Sequence, residues 1–323
     1  MFALGESAPL ARAIVAAAGF ELAAHEDRTF EDGEFKLRPL VSVRDHDVYV
    51  IQSLAGDAVL GAPARILRLA FLLSVLRDGA PRRVTALVPY LAFARKDRRT
   101  QPRDPVSLRY LAALLEAAGL QQLVALDVHN PAALDNAFRV PVLHLSAAPL
   151  FAAHFTVESD RPLAVVSPDI GGIKRAQLFA EALEQRAPGR IRLAFVEKRR
   201  AQGRVSGERV VGEVAGCDAL VIDDLCATGT TLARAARTLR AGGAARVEAV
   251  VTHALMPGTV VPAVLAGVVD RLVVTDSTGW PLPSGVPDAP LRVLSIAPLF
   301  GAVLRGMAAG GPVADLLREI PHT

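Results

Sequence analysis

The chain has 323 residues, enough for two domains, and its 51% hydrophobic fraction suffices for two cores. Charged residues make up 21%, and the net charge of +3 is spread along the chain, which excludes a nucleic-acid-binding signature. Two cysteines, Cys217 and Cys226, give no disulfide framework and fit a reducing, cytoplasmic setting.

Residues 1–19 are apolar but lack the basic n-region of a signal peptide, and they read as a helix from about Ala8 to Ala18. No apolar run reaches 18 residues, so no membrane span is expected. Beyond this start, strand and helix patterns alternate. Strands are expected at 21–24, 48–52, 83–88, 122–126, 142–144, 163–167, 192–195, 218–222, 246–251, 271–275 and 292–295. Helices fall between them, notably at 63–77, 106–118, 172–183 and 231–241. This alternation predicts an α/β fold with parallel sheets flanked by helices.

An internal repeat supports two similar domains. A helix ending in Ala117-Ala118-Gly119 leads to a strand and then His129; a helix ending in Ala241-Gly242-Gly243 leads to a strand and then His253. The two histidines stand 124 positions apart. The expected division is 1–147, and 148–323 with the last helix packing back on the first domain.

The stretch from Val221 to Leu232 carries the clearest chemistry. A buried strand is followed by Asp223-Asp224, a small-residue turn and a helix. Helix N-termini present unpaired N–H groups and partial positive charge, so they seat phosphates. Thr228, Thr230 and Thr231 add hydroxyls, Ala227 is small, and Gly229 lets the backbone approach a ligand. Two carboxylates at a strand's carboxyl end suit the vicinal hydroxyls of a sugar. A Gly-Lys-Ser/Thr ending is absent, so this is no Walker loop, and a sugar monophosphate is implied.

Five other segments stand out. Arg95 to Arg103 is dense in cations and follows Tyr90 and Phe93; taken alone it fits a solvated basic loop, and it also suits a polyphosphate. Ser167-Pro168-Asp169 runs into Gly171-Gly172 and a helix whose first turn holds Lys174 and Arg175. Basic residues there oppose the helix dipole and fit an anionic ligand, while Asp169 suits Mg²⁺. Lys198 and Arg200 precede a Gly- and Arg-containing stretch, 201–209, that reads as a loop. Phe30-Glu31-Asp32-Gly33-Glu34 is an acidic turn, and His129 follows Asp127 at a strand end.

The loop at 221–232 resembles the phosphoribosyl-diphosphate (PRPP) loop of type I phosphoribosyltransferases and of ribose-phosphate pyrophosphokinases. The other segments resemble the latter family, in its order: FxDGE at 30–34, PYxxYARQDR at 89–98 with Lys96 in place of Gln, the His-containing strand end at 127–131, SPDxGGxKRA at 167–176, and Lys-x-Arg at 198–200. Thr252-His253 and Val274 to Ser277 match further elements read as sheet ends shaping the sugar domain. The resemblance runs from about residue 20 to 306. The sugar loop departs from the commoner Asp-Asp-x-x-Asp-Thr-x-Gly-Thr form at Ala227 and Thr230, and lies nearer Asp-Asp-x-x-Ser-Thr-Gly-Gly-Thr.

The resemblance implies two tandem type I phosphoribosyltransferase-like domains that convert ATP and ribose 5-phosphate to PRPP and AMP. It implies ATP held by Phe30, Asp32, Gly33, Glu34, Arg95 and Lys96, and ribose 5-phosphate held by Asp223, Asp224, Ala227, Thr228, Gly229, Thr230 and Thr231. Mg²⁺ would sit with His129 and Asp169, and Lys198 and Arg200 would act catalytically from a flexible loop. In the family, the FxDGE segment meets ATP bound to a neighbouring subunit, which implies self-association, at least a dimer and up to a hexamer. Two other readings stand beside this one: a non-catalytic partner protein of the same family, and a PRPP-consuming phosphoribosyltransferase.

Overall fold

The computed structural model describes residues 1–57, 59–155, 161–186, 191–201, 204–255, 267–279 and 291–311, with side chains outside the description at 6, 198–201 and 204–207. These residues fall into two compact units: 1–146 with 277–279 and 297–311, and 147–276 with 291–296.

The first unit holds a parallel sheet in the order β1-β4-β5-β6-β7. Its strands are β1 (Phe2–Ala3), β4 (Asp47–Ile51), β5 (Arg83–Val88), β6 (Gln122–Leu126) and β7 (Val142–Leu145). Helices α1 (Ala8–Ala18), α2 (Ala62–Asp78), α3 (Ser107–Ala117) and α4 (Pro131–Ala137) belong to the same unit. The strands read as apolar runs because helices cover both faces of a parallel sheet; Val50, Leu69, Leu73, Ala86, Leu115 and Leu123 are fully buried in one core. A separate antiparallel hairpin joins β2 (His25–Thr29) to β3 (Phe35–Pro39).

The second unit holds seven strands in the order β10-β9-β8-β11-β12-β13-β14. They are β8 (Leu163–Ser167), β9 (Ile191–Ala201), β10 (Arg204–Val211), β11 (Asp218–Cys226), β12 (Arg246–Ala254), β13 (Arg271–Thr275) and β14 (Leu291–Leu294). All pairings are parallel except that of β9 with the edge strand β10. Helices α5 (Ala148–His154), α6 (Ile173–Glu184) and α7 (Thr230–Ala241) complete the unit. Helix α8 (Ala297–Ala309) belongs to the first unit and packs against α1. The approach is close: a Cβ on Gly301 would lie 2.8 Å from that of Ala17, and Arg305 donates a hydrogen bond to the Ala17 carbonyl.

The repeat has a structural counterpart. Gly119 N donates to Glu116 O and Leu120 N to Leu115 O, and the same pair of bonds recurs from Gly243 to Arg240 and from Ala244 to Leu239. Each is a left-handed glycine cap that stops a helix and turns the chain into the next strand. The strands that follow, β6 and β12, begin the same 124 residues apart as the histidines.

Several expectations need correction. Residues 21–24 form no strand; the strand there is β2, whose His-Glu-Asp-Arg-Thr sequence shows no apolar alternation because hairpin pairing, not burial, holds it. β11 does not stop at Ile222 but continues through Asp223 and Asp224 to Cys226, because β12 also runs on and keeps supplying ladder partners as far as Ala254. The stretch read as a loop after Arg200 contains β10, paired antiparallel to β9. Lys198 and Arg200 therefore lie in a strand by backbone.

Candidate active site

In the second unit the acidic pair sits near the carboxyl end of β11, flanked by β8 and β12. Asp224 is buried and Asp223 partly so. Asp224 N donates to Asp223 Oδ1 at 2.9 Å. Arg175, from α6, reaches both carboxylates, 3.7 Å from Asp223 Oδ1 and 3.3 Å from Asp224 Oδ1. Burial, reinforced by the neighbouring Asp224, pushes the Asp223 carboxyl up to about 8, and Arg175 only partly opposes this. Burial beside a second carboxylate thus favours the protonated form of Asp223. Arg175, read from sequence as fitting an anionic ligand, lies within ion-pair distance of the acidic pair; 48 residues separate it from Asp223, and no local pattern announces the contact.

The strand then turns at residues 227–229 into α7. Gly229 is the N-cap, with φ 73° and ψ −8°, a left-handed conformation natural only to glycine. Thr228 Oγ1 lies 3.0 Å from Thr230 Oγ1 and accepts from Thr230 N at 3.4 Å. Ala227, Thr228, Thr230 and Thr231 are all exposed, so the hydroxyls and the helix start face solvent together. Burial pushes the Cys226 thiol up to about 12, which keeps it protonated beside this loop.

Asp169 follows β8, the strand next to β11, so it shares the carboxyl edge with the acidic pair. It is exposed, and its Oδ1 accepts from Gly172 N at 3.2 Å, an Asx cap on the turn entering α6. A side chain on Gly172 would come 2.6 Å from Ser167 Oγ, so the turn has no room for one. On the other side of β8, Ser167 pairs with Phe195, and β9 continues past that level to Ala201. The backbones of Lys198 and Arg200 are thereby carried beyond the carboxyl end of β8, opposite Glu208 and Val205 of β10.

In the first unit, the corresponding ends of β5 and β6 carry the other candidates. Arg95 and Lys96 are exposed after β5, just past Phe93, which has φ 61°. His129 is exposed after β6, just past buried Asp127, which has φ 38°. Positive φ at non-glycine residues is strain that surrounding structure must hold, and it collects at functional sites. The two segments are joined: Asn130 Nδ2 donates to Asp97 Oδ2 at 2.6 Å. Lys96 lies 3.5 Å from Asp104, whose carboxyl is held down at about 2 chiefly by the Thr100 hydroxyl and amide. The Phe30–Glu34 turn caps the β2–β3 hairpin; Phe30 N donates to Glu34 O, Glu34 N to Asp32 Oδ1, and Arg28 lies over the exposed Phe30 ring. These contacts lie within the hairpin.

The structure thus brings Arg95, Lys96 and His129 to one sheet edge, and Asp169, Asp223, Asp224 and residues 227–231 to another. Among the described residues, no three His, Cys, Asp or Glu side chains cluster tightly enough to hold a metal ion by themselves.

Comparison with known proteins identifies the family. Residues 1–119 match the N-terminal domain of ribose phosphate pyrophosphokinase, and residues 150–284 match the phosphoribosyl transferase domain. The chain belongs to the ribose-phosphate pyrophosphokinase family. It is 34% identical over 310 residues to the ribose-phosphate pyrophosphokinase of Hyphomonas neptunium, covering 95% of this chain and 96% of the relative. It is 35% identical over 320 residues to that of Granulibacter bethesdensis, covering 97% and 98%. The phosphoribosylpyrophosphate synthetase structure from Mycobacterium smegmatis superposes with a TM-score of 0.84 at 31% identity, over 96% of this chain and 98% of that one. The fold is therefore two tandem phosphoribosyltransferase-like α/β domains. No described helix is long and apolar enough to cross a membrane.

Proposed function

We propose that this chain is a ribose-phosphate diphosphokinase, transferring the β,γ-diphosphate of ATP to the C1 hydroxyl of ribose 5-phosphate and releasing PRPP and AMP. The observation that carries this is the carboxyl edge of the second unit, where a buried acidic pair runs directly into an exposed threonine-rich helix start, in a chain matching the family over nearly its full length.

Each group has a physical task. Asp223 and Asp224 accept hydrogen bonds from the ribose hydroxyls, and residues Ala227 to Thr231 seat the 5-phosphate on the α7 N-terminus. Arg95 and Lys96 clamp the ATP phosphates, with Phe30, Asp32, Gly33 and Glu34 at the adenine end. Lys198 and Arg200 balance the charge that spreads over the migrating phosphoryl oxygens, where catalysis is mostly positioning and electrostatics. Mg²⁺ suits this donor set: it prefers one or two protein oxygens and takes the rest of its shell from phosphates and water, so a cluster of three protein ligands is not needed. Asp169 in the second unit would supply such an oxygen and His129 in the first a nitrogen, and bound Mg²⁺ would neutralise diphosphate charge. The exposed Phe30 turn, with its polar contacts inside its own hairpin, supports self-association into at least a dimer in which it serves a neighbour's nucleotide.

AMP release with Mg²⁺, ATP and ribose 5-phosphate tests the reading, alongside Lys198→Ala. Sugar-dependent AMP is expected, reduced by about 10²–10³-fold in the variant, the scale on which one transition-state donor acts. ADP as product would replace the reading with a simple sugar kinase. No nucleotide product from folded protein would point to the non-catalytic partner and make Ala227 and Thr230 the first residues to restore.

A further inference from the structure

Glu208 lies on β10 directly opposite Lys198 in the β9–β10 register. Its side chain is only 9% exposed, unusual for a glutamate on an edge strand. The carboxylate is held from α7: Oε1 lies 2.6 Å from Arg234 Nε, and Oε2 lies 3.3 Å from Thr238 Oγ1. Thr238 Oγ1 is itself 3.0 Å from the Arg234 carbonyl, one turn earlier in the helix. Around this grip lies an open cleft of about 1220 Å³, lined by Arg192, Gly212, Glu213 and Arg237 among others. The hairpin and the later turns of α7 are thus parted by a cleft, and Glu208 bridges it.

The two elements so joined carry different parts of the same site. One is the hairpin that presents the Lys198 and Arg200 backbone beyond the end of β8. The other is the helix whose first turn is the threonine loop. A buried carboxylate paired with a guanidinium fixes register and orientation, since any slip leaves the charge buried and unpaired. We propose that Glu208 is a positioning residue for diphosphate transfer: through Arg234 and Thr238 it locks the strand opposite Lys198 to α7, setting the placement of Lys198 relative to the sugar-phosphate loop. The proposal rests on the reading of Lys198 as the transition-state cation.

The consequence is a split between binding and rate. Ribose 5-phosphate meets the acidic pair and the α7 N-terminus, which stay in place without Glu208, whereas Lys198 is displaced. Glu208→Ala and Glu208→Gln should lower kcat for AMP release by about 10²-fold, the effect of an ångström-scale misplacement, with KM for ribose 5-phosphate within about two-fold. Arg234→Ala should give the same split, and Glu208→Ala added to Lys198→Ala should lower kcat little further, because the two act through one group. Glu208→Asp should recover part of the lost rate.

Wild-type kcat in Glu208→Gln and Arg234→Ala, with Lys198→Ala crippled, overturns the positioning role and leaves the role of Lys198 standing. Full activity of Lys198→Ala overturns the reading on which the proposal rests. Losses in kcat and KM together, multiplying fully with Lys198→Ala, would make Glu208 a general stabilising residue and also overturn it. If Glu208→Ala does not fold, the Gln and Arg234 variants carry the test.

Discussion

The two units contain one construction and put it to two uses. In both, a helix ends in a left-handed glycine, two hydrogen bonds of identical register close it, and a parallel strand follows. The strands then differ. β6 ends at Leu126, and the chain turns through strained Asp127 to leave His129 exposed. β12 runs on to Ala254, paired with β11 throughout, so His253 lies inside the strand and is 3% exposed. Two histidines at equivalent sequence positions therefore become a candidate ligand and a core residue. Strand length at the carboxyl edge, rather than the residue type, decides which.

The comparison breaks most visibly in kinetics. His129→Ala should lower AMP release by about 10²-fold at unchanged melting temperature, since an exposed side chain beyond a strand end contributes little to packing. His253→Ala should do the reverse, costing about 2 kcal/mol and lowering Tm by about 5 °C, with kcat within about two-fold. Loss of activity in the second variant alone would show that the repeat assigns these roles the other way.

The same contrast shows what sequence reading reaches. The parallel strands, the glycine caps and the order of motifs are visible because each depends on residues close together in the chain: apolar runs, a Gly after a helix, a Thr-Gly turn. The length of β11 is not visible, because two aspartates disfavour a strand and only pairing with β12 overrides that preference. β10 reads as a loop because an edge strand tolerates Gly, Ser and Arg. The hairpin at Phe30 hides for a similar reason, its strands being charged and largely exposed. The Arg175 bridge and the Glu208 grip are contacts between distant segments, and no periodicity encodes them.

The acidic pair sharpens the comparison by pH, having no counterpart among the residues on the first unit's edge. Asp223 holds its proton up to about 8 in the folded chain against 3.8 for an ordinary aspartate. A carboxyl raised in this way contributes stability that is fully present below about 3.8 and is lost as pH rises through about 8. Asp223→Asn keeps the neutral form at every pH. Its Tm advantage over the wild type should therefore widen between pH 5 and pH 9, by several degrees, and then level off. Thermal scans in matched ionic strength decide it; parallel curves would mean that Arg175 keeps both aspartates ionised throughout.

The smallest effects test whether the two caps are equivalent. Gly119 has φ 112° and Gly243 has φ 86°, both positions that an L side chain adopts only with strain. Their surroundings differ: a Cβ at Gly119 would lie 3.0 Å from Arg77 Cβ, whereas at Gly243 the nearest neighbour, Ala215 Cβ, is 3.4 Å away. Gly243→Ala should cost about 1 kcal/mol, the strain term alone, and Gly119→Ala about 2 kcal/mol, because the Arg77 stem must also shift. Neither should change kcat, since both glycines lie at the amino end of their strands, opposite the edges that carry the site. Equal losses of Tm would mean that backbone strain dominates and the caps are interchangeable; a larger loss at Gly243 would place the tighter helix–strand junction in the second unit.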